Sequence, residues 1–150
     1  MTLLVDADWL VYTSCCNAER EYEWMRDLWS FKFDAQEVHE IIDTRIERYQ
    51  AIAEGDKNVV MCFTEYPTFR HTIYPEYKAN RKEKRKPCRY RETIEQVKER
   101  YTSESYSGLE GDDVLGILAT SKKYPDPIIV SIDKDMRSVP CTLLAGDDME

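Results

Sequence analysis

Three short runs, TLLVD (2–6), NVVMCF (58–63) and PIIVS (127–131), are apolar at nearly every position. A strand with one face in water alternates apolar and polar residues, so a strand apolar throughout has to be covered on both faces. A fourth run, CTLLA (141–145), has the same character. Helical sequence separates the runs. Asp34 reads as an N-cap with Glu37 three residues later, as in a capping box. Val38, Ile41, Ile42, Tyr49 and Ile52 then recur at helical spacing, and Gly55 closes the helix. A second helix starts near Gly111 and runs through Val114, Leu115, Ile117 and Leu118 to about Lys122. Residues 7–31 read as a helix followed by a loop, and the stretch leading to Ile94 and Val97 as a loop passing into helix. Buried strands alternating with helices predict an α/β fold with a parallel sheet covered on both faces. At 150 residues, one domain with one core is expected, spanning 1–150.

The acids fall at the ends of these elements. Asp6 and Asp8 follow the first strand, Glu65 the second, and Asp133 and Asp135 the third. Glu110, Asp112 and Asp113 stand in GLEGDDVLG at a helix start. Ligands of an open parallel sheet bind in the crevice beyond the carboxyl ends of the strands. Taken singly, each acid has an ordinary reading: a strand-end turn residue, an N-cap, an acidic turn. Taken together they would converge, and a cluster without counter-charge has raised pKa values that weaken the fold. Hard divalent cations with oxygen ligands, Mg²⁺ or Mn²⁺, resolve that repulsion.

The formal net charge of −8 argues against a polyanionic partner until its distribution is considered. Residues 70–91 hold nine of the 21 Lys and Arg against two acids, Glu76 and Glu83. An acidic body with one basic segment suits a polyanion gripped at one place. No apolar stretch approaches the roughly 18 residues of a membrane span, and MTLLVDAD lacks the basic lead of a signal peptide. No membrane association is expected. Five cysteines without a CxxC pair and two distant histidines, His39 and His71, argue against a zinc site or a disulfide framework. A reducing cytoplasm fits these features.

Four motifs in order, LLVDADWLVY (3–12), FRHTIYPEYKANRKEKRKP (69–87), LEGDDVLG (109–116) and SIDKDM (131–136), resemble the 5′–3′ exonucleases of short-tailed phages. These belong to the flap-endonuclease superfamily with its PIN-like α/β core. The resemblance implies a divalent-metal-dependent 5′ nuclease acting on DNA as exonuclease, flap endonuclease or both, in the host cytoplasm if phage-encoded. It implies metal ligation by Asp6, Glu65, Glu110, Asp112, Asp113, Asp133 and Asp135, with one or two ions. Glu65 stands where the family usually has Asp. Lys78 and Arg81 match the basic residues on the scissile phosphate, and Tyr77 an aromatic that stacks on a base. Lys82, Lys84, Arg85 and Lys86 would add phosphate contacts, within an arch or clamp around residues 70–101. Single strands, flaps and duplex 5′ ends are the implied substrates, with RNA–DNA hybrids a further candidate.

The family continues past its DKD motif with a helical DNA-binding module and further aspartates that complete a second metal site. Asp147 and Asp148 come too early to match those aspartates. A truncated chain, a naturally short nuclease, a non-catalytic nucleic-acid-binding remnant or half of a split enzyme, completed by a second polypeptide, all fit that departure. A weaker resemblance links VDADW and LLAGDD to haloacid-dehalogenase-type phosphatases. There Asp6 would be the nucleophile and Asp8 the general acid, but Trp9 stands where Thr or Val is usual and YKANRK has no role.

Overall fold

The apolar runs pair side by side, as their composition requires. In the computed structural model, which describes residues 1–54, 58–81 and 84–145, β1 (Thr2–Asp6) lies at the centre of a five-stranded sheet. Its neighbours are β4 (Asn58–Cys62) and β6 (Pro127–Val130), with β5 (Thr102–Glu104) and β7 (Thr142–Leu144) at the edges. Every pairing is parallel. The register sets Asp6 beside Cys62 and Val5 beside Val130, which brings the carboxyl ends of the three central strands level. The chain builds outward from β1 through β4 to β5, then returns to the other side for β6 and β7. The reversal opens a crevice between the ends of β1 and β6, the topological switch point where such sheets bind ligands.

Successive strand residues point to opposite faces. Leu3, Val5, Met61 and Val130 pack with Leu10, Val11 and Cys15 of α1 (Ala7–Ala18) and with Val38, Ile42, Ile46 and Tyr49 of α2 (Ala35–Ile52). Val97 of α4 (Tyr90–Arg100) joins the same face. Leu4, Val60, Cys62 and Ile129 pack on the opposite face under Val114, Leu115 and Leu118 of α5 (Gly111–Thr120). Burying each large aliphatic side chain this fully stabilises by about 1.5–3 kcal/mol. No described helix is long and apolar enough to cross a membrane.

Three local expectations change. Residues 20–32 form an antiparallel hairpin, β2 (Arg20–Met25) and β3 (Leu28–Lys32), where a loop was expected. Asp27 takes a left-handed conformation at its turn, with φ 62°. β5 was not expected either, because its three residues, TSE, carry no apolar run; it is fixed instead by pairing with β4. At the start of α2, Asp34 does cap, accepting from the Gln36 amide at 2.9 Å. Glu37 does not complete a capping box but pairs with Arg20 at 2.9 Å. The expected helix stop at Gly55 lies outside the described residues, and α2 ends at Ile52 with Ala53 as its C-cap.

The basic segment runs between β4 and β5. It contains a short helix α3 (Phe69–Ile73), a 3-10 turn at Ala79–Arg81, and then α4.

Candidate metal centre and nucleic-acid interface

Asp6 ends β1 at the switch point and is buried, with 8% of its surface exposed. Its Oδ2 accepts a bond from Ser131 Oγ at 3.0 Å, and Ser131 Oγ in turn accepts from the Asp133 amide at 3.1 Å. Ser131 therefore ties the ends of β1 and β6 together. Asp133 caps the 3-10 turn Lys134–Ser138 by accepting from the Asp135 amide at 2.9 Å. Asp112 sits in the first turn of α5, and its side chain meets that of Asp133.

The electrostatics of this group are unfavourable as it stands. Burial pushes the Asp6 carboxyl up to about 6; the Ser131 bond opposes this, while Asp8 and Asp133 add to it. Burial, with the charges of Asp6 and Asp133, pushes Asp112 up to about 7. Among the described residues, no ion pair reaches Asp6, Asp112 or Asp133. Two desolvated carboxylates and a third that repels both, without a cation partner among the described residues, have the donor chemistry of a hard divalent ion site. The donor set fits. The shell itself is not closed, since among the described residues no three His, Cys, Asp or Glu side chains are gathered at ion-holding distance.

Glu110 and Asp113 behave differently. They form a reciprocal capping box at the start of α5, with the Glu110 amide donating to Asp113 Oδ2 at 3.1 Å. Arg70 of α3 forks onto Asp113 through two bonds of 2.7 and 2.9 Å and lies 3.6 Å from Glu110. Lys78 reaches Glu110 at 3.3 Å. The Arg70 fork holds the Asp113 carboxyl below the usual carboxylate range. These two acids already have protein cations, in contrast to Asp6, Asp112 and Asp133. Glu65 and Asp135 are exposed, and among the described residues their carboxylates make no hydrogen bond or ion pair. Of the seven expected ligands, the structure thus sets Asp6, Asp112 and Asp133 near one another but short of ion-holding distance, pairs Glu110 and Asp113 with basic side chains, and leaves Glu65 and Asp135 exposed.

The basic residues divide as well. Lys78 has a left-handed backbone, φ 53°, and its ammonium lies 5.0 Å from the Tyr77 ring centre. Burial works against that ammonium, yet its contacts with Tyr77 and Glu110 hold its pKa above the ordinary lysine range. Tyr77 packs edge-on against His71 at 5.5 Å. Arg81 and Lys84 are exposed, and Lys86 lies 5.8 Å from the Tyr90 ring centre. Arg85 is engaged elsewhere, ion-paired to Glu19 and stacked 4.2 Å over Phe31 of the hairpin. Lys82 lies outside the described residues. Residue-by-residue reading missed Arg70 and Ser131, whose importance rests on partners some 43 and 125 positions away.

The sequence pattern of the family described as 5′-3′ exonuclease, N-terminal resolvase-like domain, matches residues 2–142. The chain belongs to this family. Its similarity extends to the exodeoxyribonuclease of Enterobacteria phage T3 and the exonuclease of Escherichia phage T7, each 32% identical over 148 aligned residues and covering 92% of this chain. The chain spans 48% and 49% of their lengths, about half of each relative. Membership of the 5′–3′ exonuclease family sets aside the phosphatase alternative.

Proposed function

We propose that this domain is the catalytic core of a divalent-metal-dependent 5′ nuclease that hydrolyses phosphodiester bonds of DNA. One observation carries the reading: Asp6 and Asp112, both desolvated, stand with Asp133 at the switch point of the sheet, and among the described residues no protein cation pairs with any of the three. In this reading they hold Mg²⁺ or Mn²⁺, with Glu110, Asp113, Glu65 and Asp135 available toward the same or a second ion. When bound, the ions supply Lewis-acid polarisation of phosphoryl oxygens and lower the pKa of water at the site.

The chain's own residues bind and orient. Ser131 fixes the Asp6 carboxylate through a single hydrogen bond. Lys78 stands at the edge of the carboxylate group, where its charge balances negative charge that builds on the scissile phosphate. Arg81 lies one helical turn away along the same segment and takes a neighbouring phosphate. Tyr77 offers a ring face to an unpaired base, a contact worth about 1–3 kcal/mol and tolerant of sequence. Lys82, Lys84 and Lys86 extend the phosphate path, and Arg85 joins it only by leaving Glu19. Single strands, flaps and duplex 5′ ends are the substrates to test, with RNA–DNA hybrids beside them.

A second reading is favoured by the chain's span of about half of its relatives. Here the same centre binds nucleic acid but turns over only when a further polypeptide supplies the remaining ligands. The deciding experiment is release of nucleotides from 5′-labelled single-strand, flap and duplex DNA in Mg²⁺ or Mn²⁺. Cleavage by the 150-residue chain, lost in Asp6→Ala and Asp133→Ala while DNA binding in chelator survives, supports the first reading. Binding without cleavage under either metal contradicts it and favours the second.

A further inference from the structure

Asp8 stands two residues beyond Asp6, in the first turn of α1, and its carboxylate is held just beyond the end of β4. Its Oδ2 accepts from the Thr64 amide at 2.8 Å. Thr64 Oγ1 accepts from the Gly111 amide at 2.8 Å, at the first residue of α5. Gly111 closes the triangle. A Cβ at that position would lie 3.2 Å from Asp8 Oδ2, tighter than an ordinary contact, and 3.5 Å from the Cys62 carbonyl oxygen, so a larger residue would push the Asp8 carboxylate back by a few tenths of an ångström. Gly111 is itself buried. Two hydrogen bonds and one close approach therefore clamp together the ends of β1, β4 and α5. Those three ends carry Asp6, Glu65 and the Glu110–Asp112–Asp113 set.

We propose that Asp8 is a positioning residue for the metal centre: through Thr64 and Gly111 it sets the distance between Asp6 on β1 and Asp112 on α5. The inference rests on the metal reading above. Asp8 needs an acceptor oxygen for this task and not a charge. A ligand needs the charge as well, and a purely structural residue would affect folding without affecting the ion. Outer partners that orient ligand carboxylates typically change metal affinity by about 10–100-fold when removed.

The test is calorimetric titration of the 150-residue chain with Mn²⁺ alone, with the melting temperature in chelator measured beside it. Asp8→Ala is expected to bind Mn²⁺ about 10–100-fold more weakly. Asp8→Asn keeps an oxygen toward the Thr64 amide and is expected to stay within about threefold of the wild type. Thr64→Val, which removes the acceptor for the Gly111 amide, is expected to weaken binding in the same direction. A folded Asp8→Ala with wild-type affinity overturns the proposal, and should that variant fail to fold, wild-type affinity in Thr64→Val overturns it instead. Asp8→Asn as weak as Asp8→Ala also overturns it, by making Asp8 a ligand. Absence of Mn²⁺ binding in the wild type overturns the metal reading and this inference with it, whereas failure of the variants alone leaves the metal reading standing.

Discussion

Arg70 grips Asp113 with two parallel hydrogen bonds of 2.7 and 2.9 Å, joining the start of the basic segment to the start of α5. The same guanidinium lies 4.5 Å over the Phe69 ring, so its plane is fixed on two sides. Forked pairing of this kind depends on the planar geometry of arginine. Arg70→Ala is expected to lower stability by roughly 1.5–3 kcal/mol, because it leaves two partly buried carboxylates short of a partner. Arg70→Lys should recover only part of that. Urea denaturation midpoints measure both variants, and an unchanged midpoint for Arg70→Ala would show the pair to be energetically idle.

Lys78 tests the chemical step separately from binding. Its contact with Glu110 is one ion pair at the edge of the site, so its loss should barely change affinity for DNA in chelator. Loss of a charge aimed at the reacting phosphate typically costs about 10²–10³-fold in rate. Single-turnover cleavage by Lys78→Ala should therefore slow by that order. Turnover at the wild-type rate would remove Lys78 from the mechanism.

The exposed lysines predict a salt dependence. Each phosphate contact on a single strand contributes a slope of about −0.7 to log K against log salt. Lys84→Ala and Lys86→Ala should each flatten the slope by roughly that amount and weaken binding to all sequences alike. Arg85→Ala should flatten it less, since Arg85 is committed to Glu19 and Phe31. Filter binding at several salt concentrations separates the three.

Asp6 and Asp112 make stability depend on pH in an unusual direction. Their folded pKa values, about 6 and about 7, lie above those of aspartates in the unfolded chain. At pH values between, the folded state binds more protons than the unfolded state, so this contribution to stability falls as pH rises. It is fully present below the unfolded value of about 3.9 and lost as pH passes the folded values. Melting temperature in chelator should thus show a falling component from about pH 5 to about pH 8 that Asp112→Asn reduces, leaving the part due to Asp6. Saturating Mn²⁺ should restore stability at the upper end, because the ion stabilises the ionised carboxylates. An identical pH profile in Asp112→Asn would contradict the assignment.

Much of this was legible in the sequence, for definable reasons. The four apolar runs that became β1, β4, β6 and β7 needed cover on both faces, and α2 and α5 showed their apolar faces at helical spacing. The hairpin escaped notice because its aromatic residues alternate with charges in the open, as in EYEW and LWSFK, where no core explains them. The grouping of Asp6 with Asp133 followed from strand ends. The division of the acids did not, since it depends on where Arg70 and Lys78 land after folding. Three acids in GLEGDDVLG look equivalent in the chain, yet two hold protein cations and Asp112 alone turns toward Asp6 and Asp133.

Asp112 therefore offers the most direct measurement. Titration of Mn²⁺ into the wild type and Asp112→Asn at about pH 8, with melting in chelator measured in parallel, separates charge repulsion from ion binding. Opposite signs are expected: Asp112→Asn melts higher than the wild type without metal, because a repelling charge is gone, and binds Mn²⁺ at least about tenfold more weakly. Equal Mn²⁺ affinity in the two proteins would contradict the claim that these carboxylates form the metal centre.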